Sequence, residues 1–382
     1  MQLEGLNLTL SIGKVVPAPA PRLLTEALQS IEVTQEDEGR SGFQITFSAQ
    51  RSEALSRDYP IITSGLLKPF NRVLLTASIN NGPPQVITDG VITNIQLTPS
   101  GGARNGTITV TGEDVSAVMD LYEFSIGYTA LGDALIAGVV LAKYALYGVI
   151  PMVIPPLSSL VRLPVESAIR QLGTDRAFLQ KLAAKHGFVF FVKPGLAPGV
   201  NIAYWGPSLQ GIGMPLKTLN VDLGPATNVE SINFQYDPLA PNLMHGTTFD
   251  PLANAELPVL TLLSTRLPPL ASEPALIFNQ PFVRNSQYTE RRYGLIEALA
   301  SAQATTNKST ENVVTATGEV NVVRYGSMLA SHGLVGLRGA GYSYDGMYYV
   351  KRVTHQISRG AYIQRFTLTR EGTGSLVEVL PP

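Results

Sequence analysis

Residues 334–372 read LVGLRGAGYSYDGMYYVKRVTHQISRGAYIQRFTLTREG. Two long β-type runs, 347–357 and 362–370, flank Ser358-Arg359-Gly360, which has the composition of a hairpin turn. In the second run Tyr362, Phe366 and Leu368 fall on one face at the period of a half-buried strand. A glycine-rich stretch precedes the pair, and a further strand is expected over 328–337. Upstream, 313–323 reads as a strand and the polar 301–312 as a linker. Residues 288–302 are expected to form a helix with Leu295, Ile296 and Leu299 on one face. The Leu- and Pro-rich 256–275 reads as a loop or docking arm. The pentapeptides starting at Tyr236 and Phe249 repeat an Asp-Pro-Leu-Ala core, which favours turns.

The first third is also β. Phe43, Ile45 and Phe47 alternate with Gln44, Thr46 and Ser48, and Val73, Leu75, Ala77 and Ile79 repeat the pattern up to the turn cluster Asn80-Asn81-Gly82-Pro83-Pro84. Val86-Ile87-Thr88 leads to Asp89-Gly90, and Val91, Thr93, Ile95 and Leu97 follow on one side, closed by Pro99-Ser100-Gly101-Gly102. Short strands between turn signals suggest a sandwich or barrel. The middle is mixed. Residues 134–154, ALIAGVVLAKYALYGVIPMVI, carry only Lys143 as a charge. The run approaches the roughly 20 apolar residues of a membrane span. Lys143 near its centre and Pro151, Pro155 and Pro156 at its end favour a buried helix over about 131–147 with an extended exit, and no stable membrane insertion. A second helix starts at Thr174 or Asp175, shows Phe178, Leu179, Leu182 and Ala183 on one face, and stops at Gly187. Residues 188–192 and 201–205 then read as a hairpin.

The chain has 382 residues, 15% charged against about 25% for an average domain, and a net charge of −1. Interface cores are depleted in charge, so the composition suits a protein that buries surface against other subunits. Its basic pairs, Arg291-Arg292 and Lys351-Arg352, make no phosphate-neutralising face, so no nucleic-acid partner is expected. Cysteine is absent, which removes disulfides, thiolate–zinc sites and thiol nucleophiles and suits assembly in the cytoplasm. Met1-Gln2-Leu3-Glu4 shows no basic segment leading into an apolar one, so no signal peptide is expected.

Catalytic patterns are not found. Gly341-Tyr342-Ser343-Tyr344-Asp345 lacks the second glycine of a nucleophile elbow. His186, His245, His332 and His355 are spread without ligand spacing. Glu36-Asp37-Glu38 reads as a solvated turn. Gly336, Gly339 and Gly341 precede a strand-like run, whereas a phosphate loop needs a helix N-terminus. The expectation is no catalytic, cofactor-binding or metal residues.

Asp345-Gly346-Met347-Tyr348-Tyr349-Val350, Val353-Thr354-His355 and Phe366-Thr367-Leu368-Thr369-Arg370 together resemble the C-terminal signature of the phage late control D family, the baseplate hub proteins. Residues 175–187 resemble the helix before its hydrophobic strand, 86–92 a strand of its first barrel, and 141–144 the opening of its insert. The resemblance implies a mainly β fold with an α+β insert: two tube-like β-barrel domains, 1–118 and 216–374, separated by a mixed α/β domain, 119–215, with a tail, 375–382. It further implies a homotrimer whose six barrels adapt a hexameric inner tube protein to a trimeric spike within a phage tail or contractile injection particle, alongside other baseplate proteins. VgrG-type spike proteins carry their needle after this region. Here the sequence ends at Leu380-Pro381-Pro382, so the spike is expected on a separate polypeptide. The alternative is a tail-associated cell-wall hydrolase or binding module.

Overall fold

The computed structural model describes residues 2–3, 5–51, 58–99, 105–129, 131–156, 169–210, 214–250, 253–289 and 294–376. The turn expected at 100–102, the Arg291-Arg292 pair and the tail from 377 onward lie outside them.

In chain order the longer strands of the first part are β1 (Leu6–Gly13), β2 (Leu28–Glu36), β3 (Gly42–Gln50), β4 (Arg72–Ile79), β5 (Gln85–Pro99) and β6 (Asn105–Asp114). The middle holds β7 (Glu123–Tyr128), α1 (Asp133–Ala142), β8 (Val149–Val153), β9 (Ile169–Thr174), α2 (Asp175–Lys185), β10 (Val189–Pro194) and β11 (Asn201–Gly206). The last part holds β12 (Pro215–Asn220), β13 (Ser231–Tyr236), β14 (Asn242–Asp250), β15 (Ala255–Leu260), β16 (Arg284–Tyr288), α3 (Leu295–Thr310), β17 (Val314–Asn321), β18 (Leu334–Arg338), β19 (Gly346–Ser358) and β20 (Ala361–Arg370).

Among the described residues strands hold 48% and helices 20%, which makes the fold mainly β. β1-β4-β5-β6-β3-β2 form an antiparallel run, and β19-β20-β17-β13 another, with β18 and β12 branching from β19. β2 pairs with β19, Ile31 opposite Ile357 and Val33 opposite His355, so the two runs are one sheet. Its path is open at both ends, at β1 with the short strand Gln2–Leu3 and at β13. Among the described residues neither of the two expected tube-like β-barrel domains closes as a barrel; their strands lie in one large open sheet. The three largest apolar clusters among the described residues pack separately. One gathers Phe43, Ile45, Phe47, Val73, Leu75 and Ile108 with Ile357 and Tyr362. The second, in the middle part, gathers Ile136, Val140, Leu179 and Trp205, and the third Val314, Val335, Val350, Phe366 and Leu368.

Asp89-Gly90 does not turn the chain. β5 runs straight through it, and a Cβ on Gly90 would lie 2.2 Å from the Glu113 carbonyl oxygen, so glycine allows close strand approach there. Val91 and Ile92 are both buried because they face opposite sides of the strand, Ile92 in the cluster of the first part and Val91 in that of the middle part. α1 is shorter than the expected 131–147 helix and ends at Ala142. No described helix is long and apolar enough to cross a membrane. Lys143 Nζ lies 2.7 Å from Asp175 Oδ2 and over the Phe124 ring, so the mid-run charge is paired within the protein.

The expected linker at 301–312 is the body of α3, and the expected apolar face is not the buried one. Ala298, Ala302, Thr306 and Thr310 are buried at four-residue spacing, while Ile296 and Leu299 are exposed. Small side chains let the helix axis lie close to β14 and β15, with Thr306 Oγ1 2.7 Å from Thr261 Oγ1. Part of the expected 256–275 loop is β15, paired with β14.

α2 follows its sequence signals. Thr174 Oγ1 accepts from Ala177 N–H at 3.2 Å. At the other end Phe188 N–H reaches Ala183 O and Gly187 N–H reaches Ala184 O, a Schellman closure with Gly187 at φ +66°. A Cβ on Gly187 would also lie 2.2 Å from Ala304 Cβ of α3. Gly187→Val is therefore expected to lower the unfolding free energy by about 2–4 kcal/mol, combining left-handed strain with overpacking. In urea titrations Ala304→Gly should restore the overpacking part only; full recovery would remove backbone strain from the account.

Candidate assembly interface

The sheet buries one face and wets the other. Across the β2–β19 junction the wet face runs in rows. Ser231, Glu319, Arg365, Thr354 and Thr34 are successive cross-strand partners, and so are Asn233, Thr317, Thr367, Arg352 and Glu36. Its charges pair along the rows: Arg352 Nε with Glu36 Oε1 at 2.9 Å and Arg365 Nε with Glu319 Oε1 at 2.6 Å. A shallow groove of about 490 Å³ lies over this face between β13 and β19. The pleat places these groups: inward Tyr362, Phe366 and Leu368 leave Arg365 and Thr367 outward. Threonine and paired ions make a hydrated surface with little free charge.

The glycine-rich turn of residues 339–346 and Arg370 meet at one buried point beside the sheet. Gly339, Gly341 and Gly346 take φ of +89°, +88° and +123°, which lets residues 339–346 fold back on themselves. Asp345 Oδ1 accepts from Ala340 N–H at 2.7 Å. Arg370 is buried, donates from Nη1 to Asp345 O at 2.9 Å and from Nη2 to Ser343 O at 2.5 Å, and stands 4.4 Å over the Tyr348 ring. Ser343 is thus part of an arginine-held turn. His355, one strand further in, sits 2.7 Å from Tyr362 Oη, and burial pushes its imidazole down to about 3.

The remaining histidines are also built into packing. His186 Nε2 lies 2.5 Å from Asp133 Oδ2, and the neighbouring His186 and Lys185 take Asp133 down to about 2 against the opposing effect of burial. His332 stacks on Phe191 with ring centroids 3.7 Å apart, and burial with nearby Lys193 holds it near 3. His245 pairs with Asn285 Oδ1. Among the described residues no group of three or more His, Asp and Glu could hold a metal.

The expected solvated Glu36-Asp37-Glu38 turn is a correction. Glu36 and Glu38 pair with Arg352 and Lys308, but Asp37 between them is buried where β2 meets β19. The alternation that places Val33 inward carries on to Asp37. Burial pushes its carboxyl up to about 6, with Glu38 adding to the rise and Lys351 opposing it. A raised carboxyl binds its proton more tightly in the folded state, so stability falls as pH climbs from about 4 through 6. Asp37→Asn should match the parent near pH 4 and exceed it by on the order of 1–3 kcal/mol at pH 7. Unfolding curves across that range check this; a constant offset would mean that Asp37 does not titrate there.

No family model matches the sequence, and no curated protein sequence does. Solved structures do. A tail protein from Neisseria meningitidis MC58 matches with a TM-score of 0.62 at 11% identity, covering 96% of this chain and 97% of its own. The 43 kDa tail protein of prophage MuSo2 from Shewanella oneidensis matches at 0.60 and 14% identity, covering 95% and 98%. An E. coli type VI secretion component, described as structurally similar to T4 bacteriophage tail proteins, matches at 0.52 and 12% identity, covering 100% of this chain and 80% of its own. This chain therefore shares its fold with these two tail proteins and with the type VI secretion component.

Proposed function

We propose that this chain is the structural hub of a phage-tail-like baseplate, assembled in the cytoplasm as a homotrimer that adapts a hexameric inner tube to a trimeric spike, and that it performs no chemical step. The observation that carries the reading is the unbroken sheet across the β2–β19 junction, apolar on one face and hydrated on the other. Two runs of similar width in one chain supply two wall segments, and three chains supply six. β1 is covered on its outer side by the short strands Gln2–Leu3 and Ala18–Pro19, so the open edge at β13 is where a further strand or chain completes the wall, because exposed edges are otherwise a liability. Residues 1–118 and 216–374 are the two wall segments and 119–215 is a brace between them. The tail-protein likeness in fold supports the same role.

Electron microscopy of the chain with its tube and spike partners tests this. A ring of three chains with the Arg365–Thr367 face toward the axis is expected. A particle with that face outward, or one holding two chains, would count against the hub. Cell-wall zymograms of the purified chain should stay blank.

A further inference from the structure

Exposed large hydrophobics are unevenly placed. Leu135 is 64% exposed and Val139 54%, on the side of α1 away from the core. With Gly138, Ala142, Pro151 and Val153 they line a groove of about 800 Å³ between α1 and β8. Among the described residues, none that lines the groove is charged. Asp133 at its head is bound to Lys185 at 3.1 Å, and Lys143 at its foot to Asp175 at 2.7 Å. A Cβ on Gly138 would meet nothing within 4 Å, so no packing inside the chain requires glycine in mid-helix.

The groove is shaped for side chains more than for an added strand. β8 pairs with β11 on one side, and Ile154 N–H bonds Trp205 O while Asn201 N–H bonds Gly148 O. That parallel pattern turns Val149, Pro151 and Val153 to the free edge, where Pro151 has no N–H to offer. A helix fits such a site. Among the described helices of eight residues or more, α3 is the other one that exposes large apolar side chains, Ile296 at 53% and Leu299 at 38%. They stand one turn apart, and Glu297, a charge between them in sequence, faces Lys185 at 3.5 Å. Groove and helix are matched in being apolar with their charges already paired.

We propose that α3 of a second copy of this chain docks through Ile296 and Leu299 into the α1–β8 groove, giving the subunit contact of the assembly. The contact is heterologous, one patch against a different one, which generates rings when the rotation closes. The proposal rests on the homotrimer reading and says which surfaces meet.

The chain has no cysteine, so engineered thiols report cleanly. Val139→Cys and Leu299→Cys are prepared as separate chains and mixed under mild oxidation at the highest soluble concentration. A disulfide can then join only two copies. A covalent pair is expected in the mixture, several-fold above either variant alone. No pair, or a Val139→Cys self-pair of equal yield, overturns the contact. With both substitutions in one chain the covalent ladder should stop at three. Stopping at two would keep the contact and refute the threefold ring. Particles of three chains without the mixed disulfide would keep the ring and refute the contact. Gly138→Leu separates folding from docking: its helix signal and melting temperature should hold or rise, while sedimentation shifts to the monomer. Unchanged assembly with the groove filled would also sink the proposal.

Discussion

Arg370→Ala is expected to lower the unfolding free energy by about 3–5 kcal/mol, among the largest effects of any single substitution here. The guanidinium supports the turn of residues 343–346 through two carbonyls, and Gly374 O lies a further 3.4 Å from Nη1. Charge-assisted hydrogen bonds are each worth about 1.5–3 kcal/mol, and the acceptors left behind would be buried. The stacking on Tyr348 would go too. Arg370→Lys should recover less than half, because a point charge cannot reach Ser343 O and Asp345 O in two directions at once. Urea unfolding measures both. If alanine costs under about 1 kcal/mol, the motif arginine is dispensable to the turn and its conspicuousness in the sequence needs another cause.

Asp89→Ala is expected to cost a similar 3–5 kcal/mol, for a different reason. Arg72 Nε and Nη2 hold Asp89 Oδ1 and Oδ2 at 2.6 and 2.7 Å, and both side chains are buried. Removing one partner strands the other's charge out of water. The pair also ties the first part to the insert, since Arg72 Nη2 donates to Gly199 O at 2.9 Å and Asn201 Nδ2 to Asp89 Oδ2 at 3.1 Å. The double variant Arg72→Met with Asp89→Leu should lose much less than the single one, because apolar replacements of similar volume avoid the stranded charge. Limited proteolysis should show early cutting near Gly199 in Asp89→Ala and little in the double variant. Equal losses in single and double variants would show that the contacts to Gly199 and Asn201, and not the charge, carry the energy.

Local periodicity and caps were enough to place strands at Phe43–Phe47, Val73–Ile79 and Tyr362–Leu368, and to delimit α2 between Thr174 and Gly187. Those features depend on residues a few positions apart, where backbone sterics and alternation act directly. The motifs of residues 345–370 were likewise legible, and the structure gives a cause for Asp345-Gly346 and Arg370 in the Arg370 turn and for His355 in its contact with Tyr362. The junction was not legible. Thr34 and Thr354 meet across 320 positions at 3.3 Å, and nothing in either strand alone names its partner, since any strand with the same alternation offers the same ladder of donors and acceptors. For the same reason the expected two barrels became one open sheet. The first half of α3 was read as helix, but its second half and its buried face were hidden, because that face is Ala298, Ala302, Thr306 and Thr310, residues whose small size is useful only against the particular strands they approach. Asp37 and Asp89 look solvated in sequence because charge argues for water; their burial is decided by neighbours far along the chain, Lys351 and Gly199 among them, which only the tertiary fold brings into reach.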